Sequence, residues 1–203
     1  MNARVKMLTA EEIKENYEKF VSYAMRTGDH RKDALQKFFD HFEERLALCP
    51  ASSKLQYHNC FPGGLVEHSL RVLKNCNKLI QVFKDDFEFS KESMIFACLF
   101  HDIGKIGMID HSRYIEQTSD WHKRQGNVYE YNSQMPFLTT PHASVFLLQH
   151  FGVHMTFDEF QAILLNDGPV LQENKIYAMK ESQLALLVHQ ADRLACEMEK
   201  RNV

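Results

Sequence analysis

The sequence predicts an all-α protein carrying one small β-hairpin insertion, and three observations lead to that class. Apolar residues recur at helical spacing along most of the 203 residues. Capping residues stand before several of these stretches, and Pro or Gly stands after them. One stretch, Met94 to Phe100, is apolar all round, the mark of a helix buried at the centre of its neighbours.

Taken in order, Thr9-Ala-Glu-Glu12 is a capping box, and Ile13, Tyr17, Phe20, Val21 and Ala24 follow on one helical face. A second helix is expected from about Asp29, with Leu35, Phe38, Phe39, Phe42 and Leu46 on its buried side and Pro50 as its stop. Residues 51–62 read as loop, ending in Pro62-Gly63-Gly64. From Leu65 to about Phe83, the apolar positions Leu65, Val72, Cys76, Leu79 and Phe83 trace a third helix. Ser90 caps the central apolar helix, which runs straight into His101-Asp102. Residues 108–135 form a polar insertion, in which Trp121 to Tyr131 suggests a hairpin turning at Gly126-Asn127. Thr140-Pro141 opens a further helix that Gly152 closes, and Thr156-Phe-Asp-Glu159 is a second capping box whose helix runs to about Asn166. Asp167-Gly168-Pro169 ends that helix. The last one begins near Ser182 and carries Leu184, Leu187, Val188, Ala191 and Leu194 into a charged tail. No repeat or linker divides the chain, so one domain over 1–203 is expected, with N-terminal helices in 1–50 and the chemistry in 51–200.

A hydrophobic share of 44% with 25% charged residues supports a packed core rather than disorder. The net charge of −3 argues against a protein that grips long duplex nucleic acid through many phosphates. Five cysteines, odd in number and lacking a CxxC, fit neither a disulfide framework nor a zinc ribbon. With no apolar run of membrane-spanning length and no signal-peptide core at the start, a cytoplasmic protein without membrane contact is expected.

His101-Asp102 is the chemical anomaly. An imidazole and a carboxylate at the end of the most apolar helix are costly to bury unless something compensates them, and a divalent cation does so strongly. Taken alone, the dipeptide fits a hydrogen-bonded His-Asp pair better than it fits a metal site. His68, among Leu65, Val66 and Leu70, and Asp192, among Val188, Ala191 and Leu194, add one metal-competent side chain on each of two further helices. Facing helices of a bundle build metal sites in this way.

His68, His101-Asp102 and Asp192, in that order, resemble the H…HD…D signature of the HD-domain phosphohydrolase superfamily. The surrounding segments Tyr57 to Arg71, His101-Asp-Ile-Gly-Lys105 and Ala191-Asp192-Arg-Leu-Ala195 are similar to stand-alone HD hydrolases of phages and bacteria. They are similar too to the HD portion of exoribonucleases that pair it with an OB-fold. The likeness spans about residues 51–200. It implies an HD-type helical bundle with His68, His101, Asp102 and Asp192 as metal ligands.

Relatives with HDxxK often hold a second cation through further histidines. His142 matches the first of these, whereas Asn166-Asp167 stands where the others fall, leaving Asp167 as an oxygen ligand. One or two ions are therefore open, of Mn, Co, Zn, Fe or Mg. The implied reaction is metal-assisted hydrolysis of a phosphate ester. Asp102 or a nearby histidine would help orient or deprotonate the attacking water, Lys105 would neutralise phosphoryl charge, and His58 would touch phosphate or protonate the leaving oxygen. Arg71 is a candidate phosphate contact, and Lys123 and Arg124 with Tyr129 and Tyr131 form a candidate substrate lid. His189 is a candidate partner orienting a metal ligand. The expected substrate is a nucleotide, cleaved by a nucleoside monophosphatase or a deoxynucleoside triphosphohydrolase. Short nucleic acids or cyclic diesters are the alternative, as is a sensor that binds without turnover. Many such proteins form homo-oligomers.

Overall fold

A computed structural model describes residues 7–83, 86 and 88–200. The fold is all-α with one two-stranded sheet. Helix α1 (Ala10–Ala24) starts at the Thr9/Glu12 capping box, whose two side chains satisfy each other's backbone amides. A 3₁₀ turn at Asp29–Arg31 leads into α2 (Lys32–Leu48). Helices α3 (Gly64–Val82) and α4 (Lys91–Phe100) follow, the latter capped by Ser90. After the insertion come α6 (Thr140–His150), α7 (Phe157–Leu164) behind the Thr156/Glu159 capping box, and α8 (Gln183–Lys200). Pro141 sits in the first turn of α6, but the N-cap is Thr139, one residue earlier than the sequence suggests.

Helix α4 lies at the centre, with Phe96, Ala97, Cys98, Leu99 and Phe100 fully buried. It packs on α3, α7 and α8, and α3 and α8 pack on each other. The N-terminal helices join the same core: Phe20 and Phe38 meet Phe100 edge to face, with ring centroids 5.7 and 6.1 Å apart. One ion pair is sealed inside. Arg31 Nη2 lies 3.1 Å from Glu159 Oε1, and its guanidinium stacks 4.2 Å over Phe96.

The hairpin is present but differs from the sequence expectation. Its strands are β1 (Tyr114–Glu116) and β2 (Tyr129–Tyr131), antiparallel with Ile115 opposite Glu130. Trp121 to Arg124, expected as the start of the hairpin, lies in the short helix α5 (Asp120–Arg124) within the connection. The reason is local: the Ser119 hydroxyl accepts from the His122 amide and Asp120 occupies the first turn, so the segment starts as a helix. Gly126-Asn127 ends that helix and docks on the 51–62 loop, where the Leu55 amide donates to the Gly126 carbonyl at 2.8 Å. No helix among the described residues is long and apolar enough to cross a membrane.

Candidate metal centre

Two glycines set the position of His68. Gly63 takes a left-handed φ of 81°, and a side chain on Gly64 would collide with the carbonyl oxygen of Asn59. The chain therefore turns sharply into α3, and His68 lies just over one turn inside it, fully buried. At the other side of the site, α4 ends at His101, and a 3₁₀ turn (Ile103–Ile106) follows Asp102. A Cβ on Gly104 would strike the start of α6. Its absence lets the Gly104 amide donate to Ser144 Oγ at 2.8 Å, and that hydroxyl donates to the His101 carbonyl at 3.2 Å. Asp192 comes from the middle of α8.

These elements bring four predicted residues together. His68, His101 and Asp192 each offer a ligand atom within 4.8 Å of the other two. Asp102 Oδ2 lies 3.5 Å from His101 Nε2 and 3.8 Å from His68 Nε2, and Asp192 Oδ1 lies 2.9 Å from His68 Nε2. Each imidazole is fixed through its other nitrogen. His68 Nδ1 is 2.8 Å from Glu199 Oε2, and His101 Nδ1 is 2.9 Å from the Cys98 carbonyl. Both Nε2 atoms are buried, and among the described residues neither finds an aligned hydrogen-bond partner. Two buried Nε2 atoms converging on two carboxylates, with His101 Nε2 no nearer than 3.5 Å to either, fit a divalent cation, because a buried nitrogen without a partner is costly.

The local charges follow from this crowding. Burial opposes a proton on His68, but Glu199 and Asp192 outweigh it and push its pKa up to about 10. Burial also opposes the charge on Asp102, yet the Lys105 ammonium and His101 hold that carboxyl well below its ordinary value. Lys105 Nζ is 2.5 Å from Asp102 Oδ2. The 3₁₀ turn produces this, since residues three apart stack over one another there. Asp167 stands at the rim, where burial and then repulsion from Asp102 raise its pKa to about 6.

His58 packs tilted against His68 with ring centroids 4.6 Å apart, and burial followed by its charged neighbour pushes its pKa down to about 2. A neutral imidazole of this kind offers a lone pair to a neighbouring group. Its Nε2 is 3.9 Å from Cys196 Sγ, which in turn lies 3.5 Å from Asp192 Oδ1.

Other expected residues lie elsewhere. Arg71 Nε is 2.8 Å from Glu199 Oε1, so its charge is directed to that carboxylate rather than left open for phosphate. His142 is exposed and paired with Thr139 Oγ1 at 2.6 Å. Among the described residues, no metal-competent cluster includes His142 or Asp167. Lys123 and Arg124 flank an open depression on α5 with Asp120, whereas Tyr129 lines a separate cavity of about 350 Å³ with Lys105, Arg45, Arg113 and Tyr114. His189 Nδ1 pairs with the Asn166 carbonyl at 2.7 Å and reaches no metal ligand directly. Asn166 itself does, with Nδ2 3.4 Å from Asp102 Oδ1.

Glu199 and Cys196 are the functional candidates that the sequence reading passes over. Both hide in what looks like a charged tail. The spacing from Asp192, four residues to Cys196 and seven to Glu199, is the signal that puts all three on one helical face.

The family model described as HD domain matches residues 65–196, well over half of the chain, and the chain belongs to that family. Members of the HD family are mostly metal-dependent hydrolases, which agrees with the ligand geometry. No curated protein and no solved structure matches the chain.

Proposed function

We infer that this HD protein hydrolyses a phosphate ester of a mononucleotide, using one divalent cation held by His68, His101, Asp102 and Asp192. The observation that carries the reading is the convergence of two buried Nε2 atoms and two carboxylates from three helices and the turn after α4, with His101 Nε2 left without an aligned hydrogen bond. The cation, when bound, supplies Lewis-acid activation of the phosphoryl group and of water. The side chains of the protein do the rest. Lys105, beside Asp102, neutralises charge growing on the phosphoryl oxygens. Asp167, the carboxylate at the rim of the site, accepts a proton from the attacking water.

The cavity lined by Lys105, Arg45, Arg113, Tyr114 and Tyr129 supports the choice of a nucleotide. Its aromatic faces suit a base and its cations suit phosphate. At about 350 Å³ it has room for one nucleotide, and the net charge of −3 agrees with a small substrate.

The test is product analysis over nucleoside monophosphates, triphosphates, linear diesters and cyclic diesters, with Mn, Co, Mg or Zn added. Release of phosphate or polyphosphate from a mononucleotide is expected. Tyr129→Ala should raise KM for that substrate roughly tenfold, by removing one stacking face, while leaving hydrolysis of a small aryl phosphate unchanged. Cleavage of diesters alone would replace the substrate class. A thermal shift with nucleotide and no product would make the protein a sensor.

A further inference from the structure

Around His68 the protein holds a second ligand set that shares His68 and Asp192 with the HD centre and adds His58 and Cys196, which that centre does not use. His58, His68 and Cys196 each offer a ligand atom within 4.8 Å of the other two, and Asp192 touches the same group. We propose that His58, His68, Asp192 and Cys196 form a closed site for a soft divalent cation of the zinc or cadmium class, alternative to the HD centre.

The spacing suits it. Tetrahedral coordination with bonds of about 2.0–2.1 Å to nitrogen or oxygen and about 2.3 Å to sulfur separates neighbouring ligand atoms by roughly 3.4–3.6 Å. Here Cys196 Sγ is 3.9 Å from His58 Nε2 and 3.5 Å from Asp192 Oδ1, and Asp192 Oδ1 is 2.9 Å from His68 Nε2. The four side chains are also held in place. Asp192 and Cys196 are one turn apart on α8, and His68 is fixed by Glu199. His58 is held by its loop, through Ser52 Oγ donating to its carbonyl at 2.7 Å and the Ala51 amide donating to Asn59 at 3.1 Å. On binding, the Cys196 thiol and the His68 imidazolium each release a proton to solvent, and the thiolate and the neutral imidazole become ligands.

Chemistry sorts the two arrangements. The HD set adds a second carboxylate, Asp102, and leaves coordination positions open, as hard cations and catalysis require. The alternative set adds a thiolate and fills all four positions, as structural zinc sites do. His68 Nε2 has one lone pair and serves one cation at a time, so filling the closed site disables the open one. That exclusion, though not the closed site itself, rests on the HD reading of the function.

Full-length protein titrated with cadmium under anaerobic conditions tests it, by the near-ultraviolet charge-transfer band of a thiolate–metal bond. Wild type should show the band at one cation per chain. Cys196→Ser should lose it, with at least a tenfold drop in cadmium affinity. His101→Gln and Asp102→Asn, which impair only the HD set, should keep it, and if one of them fails to fold by circular dichroism the other carries the test. Manganese loaded beforehand should be released as the band grows, read by its paramagnetic resonance signal. No band in wild type, or a band that survives Cys196→Ser, would overturn the site. Loss of the band in the folded HD variants would make Cys196 an accessory to the HD centre and overturn the alternative. Retention of manganese beside a full band would overturn the exclusion. Failure of the hydrolase reading shows separately, as absence of phosphate release with the cadmium band intact.

Discussion

At His68, one imidazole faces three carboxylates: Asp102, Asp192 and Glu199. Without a cation this crowding keeps the ring protonated, since Glu199 and Asp192 lift its pKa to about 10 against burial. The unfolded value is about 6.5. Below pH 6.5 both states hold the proton and the stabilisation is complete. Between 6.5 and 10 the unfolded chain releases it first, so metal-free protein should lose stability across that window. Chemical denaturation at a series of pH values checks this, and a flat profile from 6.5 to 10 would refute it. A bound cation takes the place of the proton, so metal affinity should rise over the same window. Glu199→Gln removes the charge that orients His68 while keeping the shape of the side chain. Metal affinity should then fall about 10–100-fold, as for other residues that orient ligands, and calorimetry measures it.

Among the elements, the turn into α3 carries the most constraint. Gly64→Ala forces a methyl group onto the Asn59 carbonyl, in a turn held by the Ala51–Asn59 backbone bond. Overpacking of this kind should destabilise the protein by about 3 kcal/mol, read as a lower urea midpoint, and it should displace His58 along with His68. This turn was legible as Pro-Gly-Gly before an apolar stripe, as was α4 from its all-apolar body. The capping boxes of α1 and α7 show in sequence because they are local hydrogen-bond patterns. The hairpin was only half legible. Tyr129 to Tyr131 has strand character, but its partner Tyr114–Glu116 is set by a non-local pairing that no short window contains. Arg113 shows why: its guanidinium ties the insertion to the Gly104 and Leu138 carbonyls at 3.1 and 2.9 Å. Glu199 was missed for a related reason, because a glutamate among Glu197, Met198 and Lys200 becomes a buried ligand partner only once α8 lies against α3.

Over the whole molecule, the aromatic cluster of Phe20, Phe38, Phe39 and Phe100 binds the N-terminal helices to the helix that presents His101-Asp102. The HD match begins at residue 65, so His58 and these helices lie outside it, although His58 packs directly against His68. In the proposed function the HD set holds a cation that the protein uses for hydrolysis. The most direct measurement is metal content of the purified protein, together with nucleotide phosphate release before and after chelation, for wild type and Asp102→Ala. The account predicts bound metal, turnover abolished by chelator and restored by manganese, and at least a hundredfold loss in the variant, about 2.7 kcal/mol of transition-state stabilisation. Folded wild type without metal affinity, and a variant indistinguishable from it, would contradict the account and leave His101-Asp102 a structural pair.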